Sequence, residues 1–245
     1  QERMEAFRLV IAFISFLTVA VAGLVWLVLP KETDQKSSQP FSFYVLTSLL
    51  KKRVIWVHSI IIVCAYVGYK VTDDFSLYAK EVLGYSEVDA AAVGTLALWV
   101  RPLVAVVAGF VADKVSVMKS IIFHFVLMTI GGILVGFGLT GGFFFFYMVM
   151  LSVCIGVYAL RGLYFALLEE TKTSMEQTGI TIGLVSVIGF TPDIFFGPLM
   201  GYLLDEFPGA LGHQYVFICL ACFGATGGIV TGWYHWSDKK NVSMV

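Results

Sequence analysis

Five ionisable side chains stand inside stretches that are otherwise apolar: Lys70, Asp73, Arg101, Arg161 and Asp193. Removing a charge from water is costly unless it is paired, so each marks a place where binding or coupling can occur. Tyr66, Lys70, Asp73 and Leu77 fall at i, i+4, i+7 and i+11 and share one helical face, with Tyr69 and Ser76 beside it. Such a face could bind a solute or close an outer gate; alternatively the helix ends near Tyr69 and Lys70–Asp74 is a wet loop. Arg101 precedes Pro102, whose ring frees backbone carbonyls. Its guanidinium can hold an anionic or hydroxyl-rich solute by forked hydrogen bonds, or form a structural ion pair with a neighbouring helix. Asp193 follows Pro192, and a desolvated carboxylate there can pick up and release a proton, or sit in a permanent salt bridge. Arg161 has Tyr158 and Tyr164 three residues to either side and Glu169 two turns on, followed by Glu170. That grouping fits an inner gate closed by ion pairs, with solute contact as the alternative.

These side chains need an apolar scaffold, and the composition supplies one. The 245 residues are 58% hydrophobic and 13% charged. Soluble domains carry about 25% charge, so this chain cannot hide its apolar surface in water. A net charge of −1 gives no basic face for nucleic acid. Cys64, Cys154, Cys219 and Cys222 all lie in apolar runs. The Cys219-x-x-Cys222 pair has no nearby cation or carboxylate to activate a thiol, so no redox or metal site and no cofactor is expected. His58, His124, His213 and His235 fall near expected membrane edges, where interfacial packing accounts for them.

A bilayer core about 30 Å thick needs about 20 helical residues. Seven such spans can be drawn: 9–30, 54–79, 90–112, 120–139, 143–168, 178–204 and 214–236. Arg101 is the twelfth of 23 residues in its span, too deep to snorkel. Thr140-Gly141-Gly142 allows the tight reversal between the fourth and fifth spans. Pro30 and the polar segment 31–53 close the first. With the C-terminus placed in the cytoplasm, ten Lys or Arg face inward and four outward, while Arg101 and Arg161 lie within the membrane. The positive-inside rule therefore expects a cytoplasmic C-terminus and tail 237–245. Gly132/Gly136, Gly179/Gly183, Gly197/Gly201 and Gly224/Gly228 are small-x-x-x-small pairs suited to close helix packing.

The third span leaves the membrane as Gly109-Phe-Val-Ala-Asp113-Lys114. The glycine permits close helix approach, and Asp113 could cap the next helix. This run resembles the G-x-x-x-D-[RK] loop signature of the major facilitator superfamily. Arg101-Pro102 resembles the pair often found in that family's helix 8, and Gly197-Pro198-Leu-Met-Gly201 resembles the end of its helix 11. Segment 31–53 is similar to the family's central cytoplasmic loop. The resemblance implies an all-α membrane protein in which residues 54–236 form the C-terminal six-helix bundle. Residues 1–30 would be the last helix of the N-terminal bundle. It also implies a fragment whose partners are a small-molecule substrate, the lipid bilayer and the missing N-terminal half of the same chain, in a plasma or bacterial inner membrane. The family's inner termini match the direction given by the charge count.

The expected activity is secondary transport of a small polar organic solute by alternating access, driven by a gradient of protons, ions or the solute itself. Arg101, Arg161 and Lys70 point toward a polar or anionic organic solute such as a sugar, sugar acid or carboxylate. No nucleotide-binding signature is present to supply ATP drive. A seven-helix receptor shares the span count, but the last span lacks the mid-helix lysine of a retinal pigment. A membrane-embedded enzyme is the other alternative, and no H-E-x-x-H or G-x-S-x-G run supports it.

Overall fold

In the computed structural model, residues 2–28, 43–169 and 175–242 are described. Lys31, Lys36 and most of the expected central loop, together with Glu170, Lys172 and the side chains of Glu169, Lys239 and Lys240, lie outside the described residues. Two units divide the chain, Gln1–Phe41 and Ser42–Val245. The first contains the helix α1 (Glu2–Val28), apolar along nearly its whole length.

In the second unit the helices are α2 (Phe43–Leu50), α3 (Arg53–Val71), α4 (Asp74–Glu81), α5 (Glu87–Val115), α6 (Val117–Gly136) and α7 (Phe143–Leu163). They continue with α8 (Ala166–Glu169), α9 (Met175–Gly189), α10 (Pro192–Glu206) and α11 (Ala210–Val242). Among the described residues, seven stretches are long and apolar enough to cross a membrane. The chain is an all-α multi-pass membrane protein.

Two of the spans are built in two pieces. The stretch Arg53–Glu81 is α3 plus α4, with Thr72 and Asp73 between them. Thr72 donates its backbone N–H to Gly68 O, and Asp73 donates to Lys70 O in a tighter turn. The stretch Thr178–Glu206 is α9 plus α10, broken at Phe190–Thr191. Pro192 starts α10, where its missing N–H leaves no bond unmade. Elsewhere single spans hold. Pro102 lies within α5, which begins on Ser86: its Oγ accepts from Asp89 N at 3.2 Å and donates to Asp89 Oδ2 at 2.7 Å. The α6–α7 reversal uses Gly138 and Gly141, both at positive φ.

The core forms where α6 lies between α7 and α11, with α3 packed on α11, α7 and α9, and α5 on α7. Glycine sets the closest approaches, because apolar helices in lipid gain contact by bringing backbones together. A Cβ on Gly132 would stand 2.9 Å from the backbone nitrogen of Ala221, and one on Gly156 would stand 2.8 Å from His124 O. The pairs Gly132/Gly136 and Gly224/Gly228 therefore serve the α6–α11 contact. Gly179, Gly183, Gly197 and Gly201 face open space, with nothing within 4 Å of where an added Cβ would stand. At one end of the bundle Arg53 stacks over Trp233 at 4.0 Å, and Trp56 Nε1 donates to Leu50 O at 2.8 Å.

Candidate functional site

The two helix breaks place charged residues on facing elements. Lys70, in the last turn of α3, reaches Asp193, in the first turn of α10, with Nζ 3.3 Å from Oδ1. Tyr66, one turn before Lys70, donates its hydroxyl to Asp193 Oδ2 at 2.8 Å. The positive end of the α10 dipole also favours a carboxylate at that position. Phe190, in the second break, packs on the Tyr66 ring with centroids 4.9 Å apart. Asp193 is thus held in a salt bridge with Lys70.

Tyr69 brings in two further elements. The Arg161 guanidinium of α7 lies 3.9 Å from the Tyr69 ring centroid and 5.7 Å from that of Tyr66. Arg101, from α5, lies 5.3 Å from Tyr69. Such stacking suits a delocalised guanidinium and leaves its in-plane N–H groups free to donate. Arg161 Nη1 is buried and has no hydrogen-bond partner in the structure. A buried donor without an acceptor is costly, so this one is set to receive an oxygen.

Asp73 lies within electrostatic reach of Lys70. It borders a recess of about 330 Å³ together with Thr72, Ser76, Thr95 and Tyr158. Tyr158 lies within electrostatic reach of both Asp73 and Arg101, which joins the recess to the arginine pair. The assembled charges are Lys70, Arg101 and Arg161 against Asp193 and Asp73, an excess of one positive charge.

The structure therefore gathers Tyr66, Lys70, Arg101, Arg161 and Asp193 around Tyr69, with Asp73 beside them. The sequence placed Arg161 at an inner gate with Glu169; its observed neighbours are the aromatic rings of α3, and the Glu169 side chain lies outside the described residues. Thr72 and Asp73 keep helical backbone angles between α3 and α4, and Lys70 and Asp73 lie within electrostatic reach of each other. Gly109, Asp113 and Lys114 lie in the last turns of α5, away from this group. Asp113 does not cap α6: the N-cap is Ser116, and it forms no side-chain cap bond. Gly197, Pro198 and Gly201 lie within α10. Among the histidines, His58, His124 and His213 are buried. His124 Nδ1 bonds Ser120 O at 2.7 Å. Tyr69 carries the site and was legible only as a flanking residue, since which face of α7 meets α3 depends on tertiary packing.

No protein-family model matches the chain. It is 26% identical to an inner membrane protein of Escherichia coli, YihN, over 92% of this chain and 56% of that protein. It is 25% identical to the nitrite extrusion protein of Bacillus subtilis, over 79% of this chain and 48% of that protein. Against the probable nitrate transporter NarT of Staphylococcus carnosus it is 31% identical, over 61% of this chain and 35% of that protein. The chain spans about half the length, or less, of these curated relatives. Their names are those of membrane and transport proteins, in keeping with the resemblance drawn from the Gly109–Lys114 run.

Proposed function

We propose that this chain, a relative of membrane transporters with a major-facilitator-like helix set, supplies one half of a secondary transporter for a small anion. The observation that carries this reading is the pair of guanidiniums from α5 and α7 on the aromatic rings of α3, with the buried Nη1 of Arg161 unpartnered. An oxyanion of carboxylate or nitrate shape offers in-plane oxygens to both forks, and Tyr69 supplies a face for it to lie against. The names of the Bacillus and Staphylococcus relatives support an anionic solute.

Binding sites in secondary transporters are commonly built at discontinuous helices, and both breaks in this chain adjoin the charged group. Lys70–Asp193 links α3 to α10 across those breaks. Opening that bridge on one side of the membrane would let the half-helices move, so it acts as a gate strut beside the solute. A second bundle would cover the open glycines of α9 and α10, and the length of the relatives supports such a partner half. The C-terminus faces the cytoplasm in this reading, by the distribution of Lys and Arg. A receptor or an enzyme finds no comparable support among the relatives, whose names are those of membrane and transport proteins.

The test is uptake by the full-length protein in liposomes, comparing nitrate, nitrite, small carboxylates and neutral sugars. Anions should enter and neutral sugars should not, and Arg101→Ala should stop anion entry while the protein remains folded. Wild-type uptake by Arg101→Ala, or entry of sugars alone, would end this reading.

A further inference from the structure

A second charged cluster lies outside the solute site, at the end of the bundle bearing the Val82–Ser86 and Phe137–Gly142 turns. Asp74 and Glu81 are seven residues apart on one face of α4, and His213, in the first turn of α11, reaches both. His213 Nδ1 is 2.7 Å from Asp74 Oδ2, and Nε2 is 3.3 Å from Glu81 Oε2. Side-chain exposure runs from 43% at Glu81 through 0% at His213 to 1% at Asp74. One imidazole therefore joins a carboxylate open to solvent with one that is sealed. The other oxygen of Asp74, Oδ1, is buried with no hydrogen-bond partner. A fully buried carboxylate with one orphaned oxygen is a costly arrangement for a purely structural contact.

The surroundings restrict what else can act on the ring. Tyr78 stands edge-on to His213 with centroids 5.4 Å apart, and its hydroxyl is tied to Thr140 Oγ1 at 2.9 Å. Phe146 stacks on Tyr78, and Phe217 of α11 packs against it. Lys80, also on α4, is turned to Glu87 at 3.4 Å. Asp74 and Glu81 are the charged groups that bear on His213 among the described residues.

We propose that Glu81, His213 and Asp74 form a proton relay that loads and unloads a proton-binding site at Asp74. A proton arriving at the Glu81 carboxylate passes to Nε2 of a neutral imidazole carrying its hydrogen on Nδ1. The ring gives that Nδ1 hydrogen to Asp74. Glu81 is again a carboxylate, the ring is neutral in its other tautomer, and Asp74 is the neutral acid. Asp74 is the first residue of α4, directly after the break at Thr72–Asp73, so its charge governs how firmly α4 is strapped to α11. Neutral Asp74 exchanges a charge-assisted hydrogen bond for a neutral one and loosens the half-helix. The site stands independently of the anion reading, and its test needs no solute.

Infrared difference spectra of the full-length protein in lipid, taken between mildly alkaline and mildly acidic pH, read the carboxylic-acid carbonyl stretch directly. A buried-acid band should appear on acidification, vanish in Asp74→Asn and persist in Glu87→Gln. In His213→Gln, whose amide cannot pass a proton, the shift of that band on transfer to heavy water should become slow enough to resolve. This second variant serves should Asp74→Asn fail to fold. An unchanged band in Asp74→Asn, or exchange in His213→Gln as fast as in the wild type, would overturn the relay.

Discussion

Alanine at Arg161 is expected to abolish anion transport by the full-length protein while leaving most of it folded. The side chain stacks on Tyr69 at 3.9 Å, and its buried Nη1 has no protein acceptor, so little native structure depends on its donors. With a bound anion those donors become the strongest contacts in the site. Removing one partner from a desolvated charge pair costs about 2–5 kcal/mol, which is roughly a 30- to several-thousand-fold loss of affinity. Arg161→Lys keeps the charge but loses the plane and the fork, so it should restore only a small part. Initial uptake rates, set beside thermal unfolding of the same preparations, separate binding from folding. Were Arg161 structural, uptake would fall only as far as the folded fraction, and lysine would restore both.

The second large effect is on assembly of the bundle. Gly132→Leu places a branched side chain where a single carbon already meets the backbone nitrogen of Ala221 at 2.9 Å and Phe217 O at 3.0 Å. Backbone cannot swing aside as a side chain can, so α6 and α11 must separate along their longest contact. Effects above about 4 kcal/mol come from such overpacking and from buried unsatisfied groups. The expected result is loss of monodisperse protein on solubilisation. Gly228→Ala, whose added carbon would stand at an ordinary 3.5 Å from Phe125, should behave as the wild type. Equal yields from the two variants would show that this interface does not hold the bundle together.

The spans were legible because apolar length is a one-dimensional property. Arg53–Glu81 and Thr178–Glu206 stand close to the expected 54–79 and 178–204. What the sequence showed less well were the breaks inside them. Pro192 marked one, yet nothing at Thr72–Asp73 is a strong helix breaker; the turn there answers to packing and to the polar run that follows. Arg101, Lys70 and Asp193 stood out as charges in apolar surroundings. Their grouping did not, because rotation of α3 against α5 and α7 decides which of them meet. Arg161 shows this most clearly: its place over the Tyr69 ring could not be read from its neighbours in sequence. His213 was hidden for the same reason, since its partners Asp74 and Glu81 lie more than 130 positions away.

Equilibrium binding of nitrate to the purified full-length protein, by calorimetry, tests the central claim most directly. The wild type should bind a small planar oxyanion and ignore a neutral sugar, and Arg101→Ala and Arg161→Ala should each remove the binding heat. Unchanged nitrate binding in both variants would contradict an anion site between the two arginines.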